Sequence, residues 1–305
     1  MLSYGAEFRP PRLRIIANLW TLWDDPQGNR VWSLEKKIAA IKEANFDGFT
    51  ASLDEEHGRL ARKHALCTIG YLSTAKPAGA RTLIRQNVAG GALRINVQLG
   101  HHDTPVDEAV AMAIRIISEG DELGVPCDIE VHRDTCTETP EKTYAIAAAF
   151  KKATGRMLPL TWDFSHLAVV KHLAPPYWER LIECPRLIQN ARQFHFRPFN
   201  GHHCQVAVTD GAGGLSVEFK QWLPVLEKTV ETWLAVVQDG QEIFCCPEMG
   251  PVQGGYNLRQ LPDSWEDAKI LRAIIEKTWN KSLSRYIKIN QHRPKGRALE
   301  KARTS

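Results

Sequence analysis

Apolar residues along this chain recur in two alternating rhythms. Short runs of apolar and β-branched residues read as buried strands, and longer stretches with apolar positions at i, i+4 and i+7 read as amphipathic helices. Arg14–Leu19 predicts the first strand, and the helix after it carries Leu34, Ile38 and Ile41 on one face. Asp47–Leu53 and Thr68–Leu72 predict the second and third strands, with helices around Glu55–His64 and Ala80–Val88 behind them. The fourth strand, Leu93–Leu99, runs into Gly100-His101-His102-Asp103, after which Thr104-Pro105 has the form of an N-cap and first helical turn. The fifth, Cys127–Val131, ends in His132-Arg133-Asp134, and Thr139-Pro140 repeats the cap signal. Leu158–Trp162, Gln193–Phe196 and Ile243–Cys245 complete the strands. A long helix before the last strand has Phe219, Trp222, Leu226, Val230, Trp233 and Leu234 at helical spacing, and Ser264 is the expected cap of a final helix bearing Ala268, Leu271, Ile275 and Trp279.

Eight strands alternating with about eight helices belong to the α/β class and favour a closed (β/α)8 TIM barrel over an open sheet, because eight parallel strands close around a side-chain-filled interior. The sixth helix is the weakest element, interrupted by Pro175-Pro176 and Pro185. Neither a low-complexity linker nor a second core pattern is present, so residues 1–284 read as one barrel domain. The chain has 305 residues, 43% hydrophobic and 24% charged, which excludes a mainly disordered protein.

Charge changes the picture only once it is localised. From Arg285 onward there are seven Lys/Arg and one Glu, so residues 285–305 form a basic C-terminal tail and the body carries −2 of the overall +4. The tail has the composition of a solvated extension, and the body lacks the basic groove that nucleic acid needs. No run approaches the roughly 18 apolar residues of a membrane span. Met1 to Arg12 lacks the apolar core of a secretion signal, so no membrane partner and a cytoplasmic location are expected. The seven cysteines form no CxxC pair and read as reduced thiols.

Catalytic groups of such barrels stand at the C-terminal ends of the strands. The fifth strand ends in Glu130, with His132 two residues on; the sixth gives Asp163 and an Asp-x-x-His step to His166; the seventh gives His195, then Arg197; the eighth gives Glu248 in Cys-Pro-Glu-Met-Gly. Four consecutive strands thus each deliver one candidate ligand to a common rim. A mixed carboxylate and imidazole set suits one divalent ion, Mn2+ first, with Mg2+, Co2+ or Zn2+ also compatible. Arg197 and His132 are candidates for fixing substrate hydroxyls, Trp20 for an apolar platform, and His101 for a pocket residue after the fourth strand. Trp162 reads as core, and Asp210-Gly-Ala-Gly-Gly214 as a turn, since it lacks a phosphate-binding glycine pattern. Trp222, Trp233 and Trp279 on the outer helices are available to a homo-oligomer contact.

In the order and spacing of these residues the chain resembles the xylose-isomerase-like TIM barrels of the sugar phosphate isomerase/epimerase group, over roughly Ile15 to Trp279. The Leu-Gly-Val-Pro-Cys-Asp-Ile-Glu stretch ending at Glu130 is similar to that group's fifth strand, and Asp163-Phe-Ser-His166 to its Asp-x-x-His element. The resemblance implies that Glu130, Asp163, His195 and Glu248 hold one divalent cation, with His166 beside the substrate. It implies a small carbohydrate substrate and proton transfer next to a carbonyl, with Glu130 and Glu248 on opposite faces as base and acid and a metal-stabilised enediolate between them. The group's ketohexose epimerases place a second glutamate shortly after the fifth strand; here the region reads His132-Arg133-Asp134-Thr135-Cys136, which points away from a ketohexose.

Three other functions compete. A lyase or deglycosidase would use the same site to expel the leaving group of a 3-keto-glycoside. The apurinic-site endonucleases share the core ligands but add histidines, whereas here the third strand ends in Tyr71-Leu72-Ser73. A barrel that has lost its chemistry would not be expected to retain all four ligands.

Overall fold

The structure is a computed structural model that describes residues 9–23, 31–76, 78–252 and 260–291. Its eight strands are β1 (Arg12–Asn18), β2 (Gly48–Ala51), β3 (Cys67–Thr74), β4 (Ala92–Leu99), β5 (Cys127–Val131), β6 (Leu160–Asp163), β7 (Gln193–His195) and β8 (Glu242–Cys246). All pair in parallel with their neighbours in sequence order, and β8 closes on β1 through Arg12 to Ile15. Helices α1 (Leu34–Glu43), α2 (Glu55–His64), α3 (Ala80–Ala89), α4 (Val106–Glu122) and α5 (Pro140–Thr154) follow the first five strands. The predicted sixth helix is three short pieces, α6 (Phe164–Val170), α7 (Trp178–Leu181) and α8 (Pro185–Gln189), as its prolines foretold. The long α9 (Val217–Leu234) and α10 (Ser264–Gln291) complete the ring, and a 3-10 turn over Leu19–Leu22 follows β1.

Local chemistry starts most helices where the sequence placed them. The side chains of Ser33, Asp54, Thr139 and Ser216 accept backbone N–H groups in the first turns of α1, α2, α5 and α9. Two expected caps differ. Pro105 occupies the N-cap position of α4, and the Thr104 hydroxyl instead accepts the His101 amide at 2.8 Å, tightening the turn after β4. At α10 the cap is Asp263, whose Oδ1 accepts from Trp265 and Glu266, while the Ser264 hydroxyl donates to the Gly250 carbonyl.

Period-two alternation divides each strand into an outward and an inward set. Outward residues such as Ile15, Val97, Ile129 and Trp162 join the large core between barrel and helices. A separate small cluster, Ile16, Ile69, Phe244 and Cys246, plugs the barrel's middle. Below it, Arg94 donates twice at 2.7 Å to the buried Asp128, which also accepts from Gln193 at 2.9 Å. Above it, the same parity puts Asn18, Asn96, Glu130, Asp163 and His195 at the C-terminal mouth.

Trp222 and Trp233 are 1% exposed and Trp279 5%, so they are core residues and offer no surface to a second subunit. The helical pattern is unable to distinguish a face turned to the barrel from one turned to a partner. Trp233 packs on Trp279 with ring centroids 5.8 Å apart, where α9 meets α10. Trp222→Ala is expected to cost about 3–5 kcal/mol in urea unfolding, the range for deleting a buried aromatic ring. The last helix runs on past Ser284 to Gln291, with Tyr286 packed against the core; residues 292–305 of the basic segment lie outside the described residues. Among the described residues all seven cysteines are free thiols, and no helix is long and apolar enough to cross a membrane.

Candidate metal centre

Glu130, Asp163, His195 and Glu248 converge, with one ligand atom from each lying within 4.8 Å of all the others, and all four side chains are buried. Strand register explains the convergence. Asp163 pairs with His195 and His195 with Cys246, so their side chains all point inward, and Glu248 follows Cys246 at the same parity. The His195 Nδ1 lies 3.0 Å from Glu130 Oε1 and 2.9 Å from Glu248 Oε2. Arg197 approaches Glu248 Oε2 at 2.9 Å and Asp163 Oδ2 at 3.3 Å, and His166 Nε2 approaches Asp163 Oδ2 at 3.3 Å.

The electrostatics follow from crowding. Burial alone would raise the Glu248 carboxyl, but Arg197 and His195 hold it well below the ordinary carboxylate range. Burial also opposes ionisation of Glu130 and Asp163, and His195 for the first, Arg197 and His166 for the second, overcome it and lower both. For His195, burial favours the neutral ring, yet Glu248 and Glu130 outweigh it and raise the imidazole well above its usual value. His132 behaves oppositely: burial pushes it down to about 4.

Do these residues fit a cation? Asp163 Oδ2, His195 Nδ1 and Glu248 Oε2 are buried, and none carries an aligned hydrogen bond among the described residues, despite the short ion-pair distances. Three carboxylates and an imidazole, three of whose inward atoms lack aligned hydrogen bonds, form an oxygen-rich donor set of the kind a divalent cation satisfies. The residues fit.

The other expected site residues spread around this centre. The His132 ring lies against His166, centroids 4.1 Å apart, and its Nδ1 donates to the Arg133 carbonyl at 2.6 Å, leaving Nε2 as an acceptor. Trp20 stands in the 3-10 turn after β1, its ring centroid 6.0 Å from the Arg197 guanidinium. His101 is exposed, and among the described residues no contact links its ring to the cluster. In the Asp210–Gly214 turn, the Asp210 carboxylate itself accepts from the Ala212 and Gly214 amides, so the turn is self-contained.

Four polar side chains at the mouth escaped the sequence reasoning. Asn18 Nδ2 donates to Glu248 Oε1 at 2.9 Å, Asn96 Nδ2 donates to Glu130 Oε2 at 2.8 Å, and Tyr71 donates to Gln98 at 2.9 Å. Burial, with Glu130 and Glu248 nearby, raises the Tyr71 hydroxyl to about 12, so it remains a donor. The available signal was parity: Asn96 is two residues beyond Arg94, and Asn18 four beyond Arg14, on inward-facing positions. A search for ligands and acid/base groups alone passes over amides.

Neither a protein-family model nor a curated protein matches the chain by sequence. Solved structures do match. A xylose isomerase-like TIM barrel protein from Mycobacterium smegmatis, in complex with magnesium, superposes with a TM-score of 0.56 at 18% identity, covering 92% of this chain and 99% of its own. The chain has the xylose isomerase-like TIM-barrel fold. A D-tagatose 3-epimerase-like protein superposes on this barrel with a TM-score of 0.58 at 16% identity, covering 88% and 99% of the two chains. A 3-keto-D-glucoside 4-epimerase from E. coli does so at 0.52 and 11% identity, covering 87% and 100%. In all three the likeness covers at least 87% of this chain and 99% of the other.

Proposed function

We propose that the protein is a divalent-metal-dependent isomerase or epimerase of a small sugar or keto-sugar. The observation that carries this reading is the meeting of Glu130, Asp163, His195 and Glu248 at one point of the barrel mouth. A structural neighbour that is a 3-keto-D-glucoside 4-epimerase, and another described as D-tagatose 3-epimerase-like, support it. A cation held by these four residues, Mn2+ by preference and Mg2+, Co2+ or Zn2+ otherwise, would supply Lewis acidity to adjacent carbonyl and hydroxyl oxygens.

The chain's own groups do the rest. Glu130 on β5 and Glu248 after β8 approach the centre from two sides of His195, and each is kept ionised by its partners. One, as the carboxylate, takes a proton from the carbon beside the carbonyl and later releases it to solvent; the other, protonated from solvent before it acts, returns one from the opposite face. His132 stays neutral, with Nε2 as an acceptor for a substrate hydroxyl. Arg197 is held by two carboxylates, so it fixes Glu248 and balances its charge while it borders the substrate space with Trp20 and His166.

Proton magnetic resonance in D2O tests the reading. Mn2+-loaded enzyme quenched with excess chelator, given ketoses and 3-keto-glycosides as separate substrates, is expected to replace the hydrogen beside a carbonyl with deuterium and to yield an epimer or isomer. Release of a free aglycone would instead assign the elimination reaction to the same site. Failure to exchange that hydrogen in any of these substrates would remove the proposal.

A further inference from the structure

All three carboxylates of the centre share one arrangement. Each directs one oxygen inward, while an N–H group holds the other. Glu130 has Oε1 towards His195 and Oε2 on the Asn96 amide at 2.8 Å. Glu248 has Oε2 towards His195 and Oε1 on the Asn18 amide at 2.9 Å. Asp163 has Oδ2 inward and Oδ1 on the Ser165 backbone N–H at 2.9 Å, as the N-cap of α6. The amide orientations are fixed by chemistry. Asn18 uses its Oδ1 to accept the Trp20 N–H at 3.0 Å, which leaves Nδ2 for Glu248. Reversing Asn96 would set an amide oxygen against a carboxylate.

We propose that Asn18 and Asn96 are positioning residues that hold Glu248 and Glu130 to one-oxygen coordination and thereby make the centre select small octahedral cations over calcium. This rests on the metal-dependent reading above. An oxygen engaged by a charge-assisted N–H bond is drawn away from the centre and is costly to recruit as a second ligand atom. Four one-atom protein ligands suit the six-coordinate shell of Mg2+ or Mn2+. Ca2+ takes six to eight oxygens and commonly uses both oxygens of a carboxylate. Groups that orient metal ligands typically change affinity by about 10–100-fold when removed. Neither asparagine touches the centre itself, so their effect is on selectivity through the glutamates.

Calorimetric titration of chelator-treated protein with Mn2+ and, separately, Ca2+ tests this without any turnover. The parent is expected to bind Mn2+ more tightly than Ca2+. In Asn96→Leu and Asn18→Leu, which keep volume and lose the donor, the ratio of the two dissociation constants is expected to fall at least about tenfold, chiefly through tighter Ca2+ binding. Asn18 is half-buried at a strand end, so Asn18→Ala supplies the same ratio if the leucine variants do not fold. A ratio within about twofold of the parent in a folded variant overturns the proposal and leaves the metal reading standing. A parent protein that binds neither ion overturns both.

Discussion

Glu248→Gln is expected to fold and to lose turnover by about 10²–10⁴-fold, the usual contribution of a positioned acid or base. The substitution keeps the side-chain shape, and its remaining oxygen still accepts from either Asn18 or Arg197. Its new NH2 group must then face a donor on the other side, which costs about 1–3 kcal/mol. Relief of repulsion among three crowded carboxylates offsets part of that cost. Circular dichroism and a thermal melt check the fold, and metal analysis of the same sample separates two causes. Lost turnover with metal retained assigns Glu248 to proton transfer, whereas lost turnover with lost metal makes it chiefly a ligand. Full activity would remove Glu248 from the mechanism.

Mn2+ is expected to displace about one proton at neutral pH and to stabilise the chelator-treated protein by about 2.7 kcal/mol when present at 100 times its dissociation constant. The proton comes from His195. Its imidazole is raised well above the usual value in the metal-free protein, while a ligand imidazole must be neutral. In the metal-free state, three carboxylates with Arg197 and protonated His195 leave one negative charge; exchanging that proton for a divalent ion brings the centre to neutrality. Because the folded value of His195 lies above the unfolded one of about 6.5, its contribution to metal-free stability is fully present below that pH. It is lost as pH rises through the raised value. Glu130, Asp163 and Glu248 are lowered, so theirs is present above about 4 and lost as pH falls through their folded values. Mn2+ affinity should therefore weaken by about tenfold per pH unit below the folded value of His195. Titration in two buffers of different ionisation enthalpy reads the proton directly, and equal heats in both would exclude His195 as its source.

Much of the barrel was readable because its signals are local. The cap at Thr139, and apolar spacing such as Ile38 with Ile41, act within a few residues of where they are written. Boundaries slipped where a neighbour far along the chain competed. Ser264 was drawn to the Gly250 carbonyl, and capping passed to Asp263. The tryptophans of α9 and α10 went wrong for the same reason: burial depends on which element comes to cover a face.

By itself the sequence determined the alternation of strands and helices, and the placing of a carboxylate or imidazole at the end of each of four successive strands. Period two and the closure of eight parallel strands then require those side chains to face a common interior. Only the tertiary structure decided what each glutamate does with its two oxygens. Asn18 and Glu248 are 230 positions apart, and Asn96 and Glu130 are 34 apart, so these bonds exist only once the strands stand side by side. The charge state of His195 is likewise a product of assembly, because it arises from carboxylates on β5 and beyond β8 brought within 3.0 Å of one ring nitrogen.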